Sequence, residues 1–392
     1  MSVQSTNTLA NVIQRELKRI VSEPVIIFIL FVAPILAYGT IWAMFSSGVA
    51  RKLPVVVVDA DHSATSRKVV SMVAASPIAN VYAAATLADA KALTLSGKAD
   101  AILYIPQDLE KHILRIEQSP IVLYINNINI VKGGLIRAGL YKTLASVSTG
   151  ISIKMYQKNG IDAPTALALA MPIALDSHVL FNPYSNYAYF LMLGLLPLML
   201  VVFTFLGSTY AVGIELKEGT AADLMQTADG SIVLALVGKM LPYTIVLFGN
   251  SLIMDLILRY GVGLAFGGNL IVILFSQFML IVSYQLLAIL VVSLTHNLRL
   301  SLSLGSAYTM MALTFSGLTF PAMSMPLSAQ IFSWVFPFTF WLKIFMNQTI
   351  QLGKLAQTAA PFLVLGLFIA VGLISMPLTK KKLSNPEYWG KR

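Results

Sequence analysis

Residues 213–230 read Gly-Ile-Glu-Leu-Lys-Glu-Gly-Thr-Ala-Ala-Asp-Leu-Met-Gln-Thr-Ala-Asp-Gly, a polar interval of four acids and one base between two long apolar runs. Gly219 supplies a turn, and Thr220 followed three residues later by Asp223 predicts an acidic capping box at a helix start. The short helix that follows has Ala221, Leu224, Met225 and Ala228 on one side, and Asp229-Gly230 marks its stop. A helix so short is marginal alone in water, so it needs a surface to rest on. Between two membrane-crossing helices that surface is the interface, with an acidic face left open to a partner. The residues alone leave a plain surface loop equally open.

The flanking runs set the class. The chain is 57% hydrophobic and 11% charged, the composition of an integral membrane protein. Runs at 25–45, 187–210, 232–260, 270–294 and 300–320 each reach about the 20 residues that a crossing helix needs. A sixth has its core at 362–376, extended by Ala359, Ala360 and Pro361. Pro34 in the first run is tolerable in a membrane helix. That run exceeds a typical signal core and follows a long leader, so it reads as a retained anchor, despite the small residues Ser47-Gly48-Val49-Ala50. Tyr184, Tyr187 and Tyr189 are placed as an interfacial belt at the second run.

Six crossings put both ends on one side. Arg15, Lys18 and Arg19 before the first crossing, and Lys380, Lys381, Lys382, Lys391 and Arg392 after the last, make that side the cytoplasm and the 380–392 segment a basic tail. The loop around Glu218 is then cytoplasmic although net acidic, an exception that binding a basic protein surface would account for. The net charge of +10 is spread along these flanks, so no nucleic-acid partner is expected. Cysteine is absent, which excludes disulfide and thiol chemistry.

Residues 1–23 form an amphipathic element, with Leu9, Val12, Ile13, Glu16, Leu17 and Ile20 at helical spacing and the bases on other faces. Composition changes over 47–183 to that of an α/β domain large enough for its own core. Its strands are read at 55–58, 80–83, 101–106 and 121–125, and its helices at 63–75, 87–95 and 132–159. Thirteen bases against nine acids do not contradict an external location, because long translocated segments largely escape the charge rule. His62, His112 and His178 share no metal-ligand spacing, and Asp59 and Asp61 are read as capping the following helix. No metal is expected. The fold is therefore read as membrane α-helical, six transmembrane helices with an extracytoplasmic α/β domain inserted between the first two.

Between the fifth and sixth crossings, 321–346 is apolar but punctuated by Pro321, Pro326 and Pro337, which suggests a re-entrant or interfacial hairpin on the outer side. Asp255 and Arg259 fall inside the third crossing, where at i,i+4 they can pair on one face. Either they neutralise each other near the outer boundary, or they touch a substrate near its exit. His296 beside Asn297 and Arg299 fits a cytoplasmic turn. No Gly-x-Ser-x-Gly, His-Glu-x-x-His or Gly-x-x-x-x-Gly-Lys-Ser/Thr occurs, so neither a catalytic site nor a nucleotide site is legible in this chain.

Glu215, Lys217, Glu218, Gly219, Thr220, Leu224 and Met225, followed by Gly238-Lys239, resemble the coupling-helix signature of ABC-2 type exporter permeases, and Asp223 lies within it. The chain departs from that pattern with Gln226-Thr227-Ala228, where members often have a Thr-Pro turn. The Val-Asp strand at 55–59, the strand entry at 96–103 and the stretch 316–340 resemble the same family's outer domain and outer gate. The resemblance implies a type V ABC exporter membrane subunit with a large extracytoplasmic domain, of the drug-efflux-like subgroup. It implies that 214–230 inserts into a cleft of a separate ATPase, that two such ATPase subunits bind the ATP and Mg, and that 1–23 is an elbow helix touching them. A second permease protomer, identical or closely related, is implied, with the second and fifth crossings of both facing the conduit. Tyr187, Met192, Met199, Phe203, Tyr308, Met311 and Phe315 are then substrate-path candidates, and Phe320, Pro321 and Pro326 outer-gate candidates. Membrane lipid is a further partner, as is a periplasmic adaptor in a double-membrane cell. The expected cargo is lipophilic or amphipathic, drug-like or lipid-like, exported across the inner membrane. A lipid-linked glycan or ion exporter of the same family, and a non-transporting scaffold or receptor working through its outer domain, stay open.

Overall fold

The computed structural model describes residues 4–46, 48, 50–173, 175–176, 178–182, 186–295 and 297–390. Ser47, Val49, Pro183, Tyr184, His296, Lys391 and Arg392 lie outside the described residues, and with them the readings placed on Tyr184, His296 and the two terminal bases. The chain divides into two compact units, one of Met1–Gly48 with Phe181–Arg392 and one of Val49–Leu180.

The Val49–Leu180 unit is built on a four-stranded sheet of β1 (Leu53–Asp59), β2 (Ala79–Ala83), β3 (Ala101–Ile105) and β4 (Val122–Ile125). The strand order is β2-β1-β3-β4, with β4 alone running antiparallel to its neighbour. Val55 and Val57 face one core and Val56 and Val58 the other, which is why β1 is an unbroken valine run rather than an alternating one. Helices fill both faces. After α1 (Gln4–Ser22) and α2 (Pro24–Phe45), which belong to the other unit, comes α3 (Ala64–Ala74), capped by Ser63, whose hydroxyl accepts from Ser66 N at 3.0 Å. That corrects the expectation for Asp59 and Asp61. Asp59 instead accepts from the amides of Asp61 and His62 in the loop, and Asp61 from the amide of Glu110. The remaining helices of this unit are α4 (Leu87–Leu95), α5 (Leu109–Leu114), the 29-residue α6 (Ile130–Lys158) and α7 (Ala163–Ala170).

In the other unit, five helices among the described residues are long and apolar enough to cross a membrane: α2, α8 (Tyr187–Glu218), α10 (Ile232–Gly261), α11 (Leu270–Thr295) and α15 (Leu355–Ser384). Between α8 and α10 lies the short α9 (Ala221–Thr227). The run expected at 300–320 forms α12 (Leu298–Phe315), which stops five residues earlier and is not among those five. Arg299, three serines and two threonines lower its apolarity. After a short turn at Ala322–Ser324 come α13 (Leu327–Ser333) and α14 (Pro337–Gln351), bent by 84° at their junction. Pro337 sits in the first turn of α14, where a missing amide costs no hydrogen bond, so the break falls there.

Two further boundaries and one pairing differ from expectation. α8 does not end near Tyr210 but continues to Glu218, so the first third of the polar interval belongs to the crossing helix. The basic tail read from residue 380 begins inside α15, where Lys382 is buried and its ammonium lies 3.7 Å from the centre of the Tyr388 ring. Asp255 and Arg259 do not pair. A π-turn over Ile257–Gly261 widens the helix between them. Asp255 instead accepts from Gln277 Nε2 at 2.8 and 2.9 Å, and Arg259 lies over Tyr260.

Candidate functional site

The site grows from an anomaly in α1. Val12 and Ile20 of its apolar stripe are buried, and Glu16 between them is fully buried as well. A carboxylate in such a place must be matched by a cation and hydrogen bonds. Glu16 Oε2 accepts from Lys239 Nζ at 2.6 Å and Oε1 from the Tyr243 hydroxyl at 2.8 Å, both on α10. Gly238 makes the approach possible, since a Cβ there would stand 2.7 Å from a Val12 methyl. The Gly-Lys pair therefore has two jobs, one to let α1 lie flush on α10 and one to bridge it.

Lys239 Nζ also donates to Glu215 Oε1 at 2.8 Å, near the end of α8. Glu215 is fully buried and takes a two-pronged bond from Arg15, Nη1 to Oε1 at 2.7 Å and Nη2 to Oε2 at 2.9 Å. Such fork-to-fork pairs are among the stronger and more directional polar contacts. Arg19 adds Nη1 at 2.9 Å from Glu215 Oε1, and its Nη2 donates to Glu218. Arg15, Arg19 and Lys239 thus balance Glu16, Glu215 and Glu218 within one cluster. Burial works against the charge on Arg15, and the bond and field of Glu215 more than offset it, holding that guanidinium above its ordinary pKa.

Gly219 ends α8 in the left-handed region, at φ 74°, where a side chain would be strained. The reversal brings Thr220 back over α8, and its hydroxyl donates to Glu215 Oε2 rather than capping α9. The expected capping box is not made: a buried carboxylate outcompetes an exposed backbone amide for that hydroxyl.

α9 then lies on its buried residues Ala221, Leu224 and Met225, with Ala228 just beyond its end. Its outer side, continued by the end of α8, presents Lys217, Glu218, Ala222, Asp223, Gln226 and Asp229 to solvent. Three acids against one base leave that face negative. The stretch expected to couple is therefore two-sided: Glu215, Leu224 and Met225 hold it from beneath, Lys217, Glu218 and Asp223 face out, and Gly219 and Thr220 form the half-buried turn. The far end of the chain reaches the same place, with Gly390 N donating to Leu216 O at 2.9 Å and Trp389 packed on the same apolar cluster.

The substrate-path candidates do not share one surface. Met192 is buried in one apolar cluster and Phe203 packs against the other. Tyr308 and Phe315 stack on Phe336 at 5.1 and 5.9 Å, and the Tyr308 hydroxyl donates to Val335 O at 2.6 Å. Tyr187 packs edge-on to Phe45, Met199 is half-buried, and Met311 faces outward. Phe320, Pro321 and Pro326 are exposed around the turn that leads into α13.

A family model described as ABC-2 family transporter protein matches residues 24–375. The chain belongs to that family. The match takes in α2, α8, α10 and α11 whole, α15 as far as residue 375 and the polar interval 213–230 of this ABC-2 transporter protein, and leaves outside it α1, which carries Arg15, Glu16 and Arg19. Among curated proteins none matches the chain significantly. As a member of the ABC-2 family, the protein is a multi-pass membrane component of a transporter.

Sequence reasoning singled out Glu215 but missed its partners. The signal was present: Glu16 interrupts an apolar stripe, and Lys239 stands eight residues inside an apolar run.

Proposed function

We propose that this chain is the permease subunit of an ATP-binding-cassette exporter, driven by a separate ATPase that docks on the acidic face of 217–229. The observation that carries the reading is the buried ion cluster. It ties the docking segment to α1 through Arg15, Arg19 and Glu16 and to α10 through Lys239. Force applied to α9 is then delivered to three helices together rather than absorbed by a loop. Two ATPase subunits, holding ATP and Mg, serve a pair of permease protomers, and both termini lie with α9 on the cytoplasmic side of the inner membrane. The cargo is lipophilic or amphipathic, in keeping with the soft and aromatic residues of α8 and α12.

The test is reconstitution. The permease is co-purified with the ATPase, placed in liposomes, and assayed for hydrolysis and export of lipophilic dyes. Glu218→Gln together with Asp223→Asn is expected to keep the protein folded while export falls with respect to ATP turnover. Undiminished export per ATP in that variant, or failure of any ATPase to co-purify, would contradict the reading.

A further inference from the structure

On the flank of the helical unit, α10, α11 and α15 part to leave a cleft of about 260 Å³. Val237, Leu241, Phe278 and Leu373 form its wall and are 39 to 47% exposed, so it opens sideways on the apolar belt of the crossing helices. The cleft is apolar except at Gln285 and Thr244. Gln285 is 3% exposed; its Oε1 lies 2.8 Å from the Thr244 hydroxyl, whose one proton is shared with Met240 O at 2.9 Å, and its Nε2 has no hydrogen-bond partner among the described residues. Within hydrocarbon, an amide donor left unmatched is costly, because no water is present to serve it.

We propose that this cleft binds a single-chain lipid from the surrounding bilayer, whose hydrocarbon fills the apolar wall and whose hydroxyl or carbonyl oxygen accepts from Gln285 Nε2. The volume supports one chain. It is slightly under the roughly 300–1,000 Å³ that encloses a drug-sized ligand, so a bulky cargo does not fit. The lateral opening gives entry from the membrane without passage through the protein. The site is independent of α9 and of the proposed ATPase, so it stands or falls separately from the exporter reading.

The full chain in phosphatidylcholine nanodiscs would be exposed to a long-chain alcohol carrying a diazirine and, separately, to the alkane of equal length with the same diazirine, and photolabelled residues located by mass spectrometry. The alcohol is expected to label α10, α11 and α15 around Gln285 about fivefold more than the alkane, the discrimination of one hydrogen bond. Gln285→Leu should reduce the alcohol to the alkane's level, and Leu241→Trp, which occupies the wall, should reduce both probes. Equal labelling by the two probes, alcohol labelling unchanged in Gln285→Leu, or label spread evenly over the lipid-facing helices would overturn the proposal. Should Gln285→Leu fail to fold, Leu241→Trp decides alone, with undiminished alcohol labelling counting against the site.

Discussion

Glu16 and Lys239, 223 residues apart, meet at 2.6 Å with both side chains fully buried. An ion pair in that position is strong glue only while both members are present. Replacing Glu16 by Leu leaves the buried ammonium with Glu215 alone and strips the Tyr243 hydroxyl of its acceptor, and should cost toward the lower end of about 3–5 kcal/mol. Glu16→Leu combined with Lys239→Met should lose much less than the sum of the two single changes. Thermal unfolding in detergent, followed by tryptophan fluorescence, measures the four corners of that cycle. Strict additivity would show that the two side chains do not act as a unit.

Glu215 and Glu218 lie three residues apart but should behave in opposite ways. Glu215→Gln breaks a buried two-pronged bond to Arg15 and is expected to lower the Tm by several degrees. Glu218→Gln removes an exposed partner of Arg19, and exposed pairs contribute about 0–1 kcal/mol. Its effect should instead appear in export per ATP hydrolysed.

Gly238 is where α1 rests on α10. Gly238→Leu drives a side chain into Val12 and should lever α1 away, exposing the α1–α2 junction to limited proteolysis. Gly219→Ala, in contrast, meets no atoms within 4 Å but sits at φ 74°, and should cost about 1–2 kcal/mol through backbone strain alone.

Asp255 accepts twice from Gln277 Nε2 and has no basic ion-pair partner among the described residues. Asp255→Asn keeps a hydrogen-bonding carbonyl for Gln277 and removes a charge that is costly in a membrane helix. It should leave the Tm unchanged or raise it, whereas Asp255→Leu, which orphans Gln277, should lower it.

The crossing helices were legible because hydrocarbon demands long apolar runs, and the four valines of β1 because a strand buried on both faces needs no alternation. What escaped the reading was whatever depended on a distant partner. Helical periodicity gives Glu16 a face but not Lys239, since spacing within α1 says nothing of α10. The Thr220 capping box follows a sound local rule and fails because Glu215, on the other side of the turn, is the better acceptor. The Asp255–Arg259 pair fails for a local reason that residue identity does not announce, one π-turn that rotates Arg259 out of reach. Of the interval 213–230, the short helix was readable; that Glu215 is buried along with Ala221, Leu224 and Met225, while Lys217, Glu218 and Asp223 face solvent, was not.

The equal tally of three cations and three carboxylates around Glu215 has a practical consequence. Dissolved ions screen exposed charges beyond roughly 8–10 Å at physiological strength but hardly reach a dry interior. Raising sodium chloride should therefore weaken the proposed ATPase's hold on the acidic outer side of α9, Glu218 included, while the fully buried Glu16, Glu215 and Lys239 beneath it stay tied. On the proposed reading, dialysis into salt should strip the assembly to its bare membrane half, and dialysis out of salt should restore it.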